Sequence, residues 1–137
     1  VPERFFFDTS AFLADIRREP EGDAVFALRE RLRRTQCFTS VLVVYELYRG
    51  VPLSHSKRKS QIQVLDTWLS TFTLKPVHEA HAMMAAKLHR YSKGSIDPLL
   101  AAQCLDGDFT MVTTNRQDFE RVPELRIYNF PDATEAE

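Results

Sequence analysis

Five short apolar runs punctuate this chain: RFFFD at 4–8, CFTS at 37–40, FTLKPV at 72–77, FTMVTT at 109–114 and LRIYNF at 125–130. Between them lie longer stretches in which apolar residues recur at intervals of three and four. Runs of this length suit buried strands, and the intervening period suits amphipathic helices. The alternation restricts the chain to an α/β layered fold with a mainly parallel central sheet. Helices are expected over 11–18, 22–34, 41–49, 56–71 and 78–94, with a last one opening at Asp97. Pro20 and Gly22 separate the first two, and the second carries Val25, Leu28 and Leu32 on one face. Ser40 is the expected N-cap and Gly50 the terminator of the third. Ile62, Leu65, Trp68, Leu69 and Phe72 form the apolar stripe of the fourth, and Ala80, Met84, Leu88 and Tyr91 that of the fifth. Asp97 followed by Pro98 reads as an N-cap and N1 pair.

At 137 residues the chain fits one domain that needs no disulfide or structural metal. The fold is expected to run over 1–130, with PDATEAE at 131–137 as an acidic tail. Hydrophobic residues make up 44% and charged residues 27%, which excludes disordered and membrane classes. The start, VPERFFFDTS, lacks the features of a secretory leader, so the expected compartment is the cytoplasm. Cys37 and Cys104 sit in apolar surroundings without metal-site spacing and read as buried free thiols. A net charge of −1 announces no nucleic-acid partner. Basic residues nevertheless cluster at Arg17 and Arg18, at Arg29, Arg31, Arg33 and Arg34, and at Lys57, Arg58 and Lys59. Solvated helix faces explain any one cluster, while their number keeps phosphate contact open, with Arg33 and Arg34 expected to contribute.

Four polar sites interrupt apolar settings. Asp8 ends the FFF run, Glu46 stands inside VLVVYELY, Asp97 opens the apolar PLLAAQCL segment, and Asn115 and Asp118 follow the FTMV strand in TTNRQDF. A carboxylate on an apolar element requires a reason, because burying it unpaired is costly. Local reasons exist for each. Asp8 fits a turn or cap, Asp97 fits a cap, Glu46 could pair with Arg49 three residues on, and Asn115 and Asp118 could make a turn. Together they point elsewhere, because ligands of open α/β sheets bind outside the carboxyl ends of the strands, where Asp8 and Asn115 would both lie. Converging carboxylates repel, and a divalent cation relieves the repulsion. An all-oxygen donor set selects Mg²⁺ or Mn²⁺. Thr9, Ser10, Thr113 and Thr114 would supply hydroxyls near a phosphate, beside Arg116.

FDTSAFL, SVLVVYELYRG, IDPLLAAQCL and VTTNRQDFERVPELRIYNF, in this order and over essentially the whole chain, resemble PIN-domain ribonucleases, specifically the VapC-type toxins of toxin-antitoxin pairs. The resemblance implies a PIN-like three-layer α/β/α sandwich. It also implies Asp8, Glu46 and Asp97 as the acidic site residues, with Asn115 and Asp118 offered at the fourth position. Asp8, Glu46, Asp97 and Asp118 would then be the metal-holding set. The implied activity is Mg²⁺-dependent endonucleolytic cleavage of RNA, leaving a 5′-phosphate and a 3′-hydroxyl. Implied partners are a second copy of the chain and a VapB-like antitoxin, through which a hetero-oligomer would bind operator DNA.

Phosphatases of the haloacid-dehalogenase type also begin with a strand ending in Asp, but Ser10 stands where they need a second Asp. A housekeeping PIN nuclease and a PIN-like binding module without turnover are the other readings. HEAH at 78–81 places its histidines three apart rather than in the zincin spacing, so His78 and His81 are expected at a helix start. Trp68, Phe72, Met83 and Met84 are expected in the core.

Overall fold

The computed structural model describes residues 2–17, 21–51 and 54–131. Arg18, Pro20 and the tail from residue 132 onward lie outside the described residues. Among the described residues five strands form one sheet: β1 (Phe5–Phe7), β2 (Cys37–Ser40), β3 (Thr73–Lys75), β4 (Thr110–Val112) and β5 (Arg126–Ile127). Six α-helices, again among the described residues, join them: α1 (Thr9–Ile16), α2 (Gly22–Arg31), α3 (Val41–Arg49), α4 (His55–Leu69), α5 (Glu79–Leu88) and α6 (Asp97–Asp106).

Every described strand pair is parallel and the order is β3-β2-β1-β4-β5. The parallel register sets Phe6 beside Phe38 on one side and Met111 on the other. Right-handed crossovers place α1 to α4 on one face, and the reversal from β3 to β4 carries α5 and α6 to the other. The result is the expected three-layer arrangement.

Three consecutive phenylalanines are tolerable only in a strand covered on both faces. Phe7 packs edge-on against Trp68 and Phe72, while Phe6, facing the opposite way, meets Phe109. Both side chains are fully buried, each stabilising the fold by about 1.5–3 kcal/mol. Trp68 also lies against Phe12 at 3.6 Å between ring centroids and stacks on Phe72 at 4.1 Å. Its Nε1 donates to Asp15 Oδ2 at 2.7 Å. With the buried Leu65 and Leu69, Trp68 thereby fastens α4, most of whose first three turns is exposed, to α1 and the sheet.

Three local expectations change. The buried face of α5 is His81, Ala85 and Leu88, and Ala80 is exposed. His81 takes the inward position because its ring is satisfied at both ends: Nδ1 accepts from the His78 N–H and Nε2 meets Asp106 Oδ2 at 2.9 Å. Met83 is 63% exposed and does not enter the core. At α6 the helix begins at Asp97 itself, with Ile96 in the cap position. The carboxyl group of Asp97 is thus free of the capping role that the Asp-Pro pair suggested. Ser40 does cap α3, accepting from the Leu42 N–H, and both cysteines are buried and free. Among the described residues no helix is long and apolar enough to cross a membrane.

Candidate active site

The strand order reverses between β1 and β4, and a crevice opens beyond the carboxyl ends of these two strands. Asp8 enters it from β1. Its N–H continues the ladder by donating to the Val112 carbonyl at 3.1 Å. Asp8 is also the N-cap of α1, with Oδ1 accepting from the Ala11 N–H at 2.9 Å and from the Ser10 hydroxyl at 2.7 Å. Oδ2 accepts from the Thr113 hydroxyl at 2.6 Å. The cap and the site are therefore the same group. Burial, at 4% exposure, pushes its carboxyl above the ordinary carboxylate value. The bonds from Thr113, Ala11 and Ser10 oppose that shift, and the charge of Glu46 adds to it.

Glu46 comes from the middle of α3, one turn before its end. Thr9 donates to its Oε1 at 2.5 Å, and Arg49 approaches Oε2 at 3.9 Å. Arg49 is 63% exposed, so this pair is weak in water. Asp97, at the first turn of α6, has its carboxyl pushed up to about 6. Burial is the main cause, and the negative charges of Asp118, Asp8 and Glu46 add to it. All four acids line the same cavity.

The segment after β4 closes the other side. Thr113 is buried, and besides serving Asp8 its hydroxyl accepts from the Asn115 N–H at 3.0 Å. The Thr114 N–H donates to Ser10 Oγ at 3.0 Å, so the loops after β1 and β4 are stitched together. Asn115 and Asp118 both reach the crevice from exposed positions. The cavity, of about 340 Å³, is lined by Asp8, Glu46, Asp97 and Asp118 with Thr9, Ser10, Thr114 and Asn115, over an apolar floor of Leu13, Leu100 and Phe119. No lysine, arginine or histidine is among these lining residues.

Two expected contributors stand apart. Thr113 lies behind Asp8 rather than on the cavity wall, its hydroxyl already occupied. Arg116 turns to Asn129, donating to Oδ1 at 2.8 Å, and is absent from the wall. The basic clusters also separate. Arg29 is taken up by Asp15 and Arg31 by the Tyr128 hydroxyl. Arg33 and Arg34 precede β2 and so lie at the amino end of the sheet, opposite the crevice. They therefore do not line the crevice, since in a parallel sheet the residues leading into a strand and those leaving it lie at opposite ends. Arg49 is a basic side chain beside the acids, although its spacing in sequence suggests only a pair for Glu46.

Among the described residues no three His, Cys, Asp or Glu side chains are already gathered into a metal-holding group. The donor chemistry nevertheless fits Mg²⁺, which keeps several waters and needs only one or two protein carboxylates. The elevated Asp97 group supports the same fit, because a cation would offset the burial and the neighbouring negative charges that raise it. Leu13, Leu100 and Phe119 escaped sequence reasoning, since apolar residues on a cavity floor follow the same helical periodicity as core residues.

Comparison with known proteins agrees with this geometry. The PIN domain family model matches residues 5–125. Ribonuclease VapC of Rickettsia bellii is 29% identical over 104 residues, covering 70% of this chain and 78% of that protein. Ribonuclease VapC2 of Haemophilus influenzae is 29% identical over 133 residues, covering 93% and 98%. Among solved structures, VapBC2 from Rickettsia felis bound to a DNA fragment from their promoter superimposes with a TM-score of 0.79. Its sequence identity is 24%, and the match covers 93% of this chain and 98% of that one. With the match spanning β1 to the residue before β5, the chain belongs to the PIN domain family.

Proposed function

We propose that this protein is a metal-dependent endoribonuclease, the VapC-like toxin of a toxin-antitoxin pair acting in the cytoplasm. The observation that carries the reading is the convergence of Asp8, Glu46, Asp97 and Asp118 in one crevice at the switch point of the sheet. The ribonuclease names of the curated relatives support the activity, and the R. felis VapBC2 structure supports an antitoxin partner. The partner would be VapB-like and would bind operator DNA for the complex, with the toxin itself a homodimer.

Asp8 and Asp97 would hold Mg²⁺ directly, with Asp118 and Glu46 completing the set and Mn²⁺ able to substitute. The cation would supply activation of water and relief of charge on the phosphate. Glu46, held at Oε1 by Thr9, orients the attacking water. Ser10 and the Ala11 N–H fix Asp8 by taking both positions on Oδ1 and Thr113 by taking one on Oδ2, which leaves a lone pair of Oδ2 for a cation. Asn115, Asp118 and Thr114 orient the phosphodiester from the β4 side, with Arg116 as an outer contact for the strand. Water attack on phosphorus would form the new P–O bond as the P–O3′ bond breaks, the 3′-oxygen leaving as a hydroxyl with a proton from solvent and the 5′-phosphate remaining on the other fragment.

Purified protein incubated with total RNA, in Mg²⁺ and separately in EDTA, tests the reading. New 5′-phosphate ends in Mg²⁺ alone are expected; intact RNA, or equal cleavage in EDTA, would defeat it.

A further inference from the structure

The sequence has four glycines, and none in the structure has a positive φ, so in none does the backbone itself demand glycine. Space is the remaining reason. A Cβ at Gly50 would make only ordinary contacts, while one at Gly22 would meet the Ala14 carbonyl and one at Gly107 the Phe109 ring. At Gly94 the obstacle is a carboxyl group. A Cβ there would collide with Asp97 Oδ2 and lie 2.7 Å from its Cγ and 3.2 Å from its Cβ.

The backbone on neither side of this contact can yield freely. The loop before Gly94 is pinned where the Tyr91 and Ser92 N–H groups donate to the Leu88 carbonyl, and Ser92 is 2% exposed. Behind Asp97, the buried Pro98 fixes the first turn of α6. The side chain of Asp97 is the part able to move, and turning it moves it relative to Asp8, Glu46 and Asp118. Gly94 itself is exposed and does not line the cavity.

We propose that Gly94 is a positioning residue for Asp97. The volume left by its missing side chain is where the Asp97 carboxyl group sits, and any side chain there turns that carboxylate and weakens divalent-cation binding. The proposal rests on the metal-holding role argued for the acidic crevice.

Mn²⁺ titration followed by electron paramagnetic resonance tests it on the full chain, with melting temperature recorded for each variant. Gly94→Ala and Gly94→Ser are each expected to weaken Mn²⁺ binding about 10–100-fold, the usual range for disturbing a residue that supports a ligand. Alanine should already show the whole of this weakening, with serine adding little, since the collision is with Cβ. The neighbouring Ser95→Ala should bind as wild type. In an Asp97→Ala background, which opens space, Gly94→Ala should cost nothing further. Wild-type Mn²⁺ affinity in Gly94→Ala, or losses from Gly94→Ala and Asp97→Ala that simply add, would overturn the role of Gly94. A wild-type protein that binds no Mn²⁺ would instead overturn the metal site and this proposal with it.

Discussion

Thr113 and Asp8, 105 positions apart in sequence, are joined by a 2.6 Å hydrogen bond from the Thr113 hydroxyl to Asp8 Oδ2. The bond crosses from the end of β4 to the end of β1 and ties the two sides of the acidic crevice together. Its donor is buried and its acceptor is 4% exposed, so water does not replace it easily.

Thr113→Val keeps the shape and removes the hydroxyl. The expected cost is roughly 1.5–3 kcal/mol of stability, the range for a hydrogen bond to a charged group. Divalent-cation affinity should fall about 10–100-fold as Asp8 loses its fixed orientation. Urea denaturation and Mn²⁺ titration measure the two, and Thr113→Ser should restore most of both. A valine variant with wild-type affinity would show that Asp8 needs no such support.

Asp97 links the site to pH. Its carboxyl group titrates near 6 in the folded protein against 3.8 as the ordinary value, so folding takes up a proton between these limits. Such a group contributes stability that is complete below about pH 4 and is lost as pH rises through about 6. In EDTA, Asp97→Asn should therefore melt above wild type at pH 7.5, and the advantage should vanish by about pH 4. Melting curves across this range check it. A constant difference at every pH would contradict the raised Asp97 carboxyl.

Trp68 holds α4 in place through Phe12, Phe72 and Asp15. Trp68→Ala should destabilise the protein by about 3–5 kcal/mol in chemical denaturation. Trp68→Phe, which keeps the ring and loses the Nε1 donor, should cost clearly less. Equal losses would mean that the bond to Asp15 matters more than the packing.

Arg49 stands exposed beside Glu46, whereas Arg33 and Arg34 lie at the far end of the sheet. Arg49→Ala should weaken RNA binding more at low salt than at high, and replacing Arg33 and Arg34 together should leave it unchanged. Binding isotherms at several salt concentrations distinguish the two. A salt-dependent loss from the Arg33 and Arg34 pair would restore the sequence-based expectation.

Asp8, Glu46, Asp97, Asn115 and Asp118 are legible in sequence because each interrupts an apolar element, and such an interruption is costly to fold. Phe5, Phe6 and Phe7 announce the central strand for the related reason that only two-sided burial tolerates them. The Thr113–Asp8 bond is not legible, since it depends on β4 neighbouring β1, and strand order is decided by long-range packing. Asp97 resembles a cap in sequence because Asp-Pro is a strong local signal. The helix instead starts one residue earlier than that signal implies and leaves the carboxyl group to the crevice. The inward position of His81 is hidden for a comparable reason: it depends on Asp106, 25 residues away in sequence.

The most direct measurement is RNA cleavage in Mg²⁺ by a folded Asp8→Asn protein, compared with wild type and read by mapping 5′-phosphate ends. Asparagine keeps the shape, and its carbonyl oxygen can still serve the helix cap, while the charge is removed. The expected result is no cleavage above background with the melting profile of a folded protein; wild-type cleavage by that variant would contradict the assignment of the acidic crevice as the catalytic site.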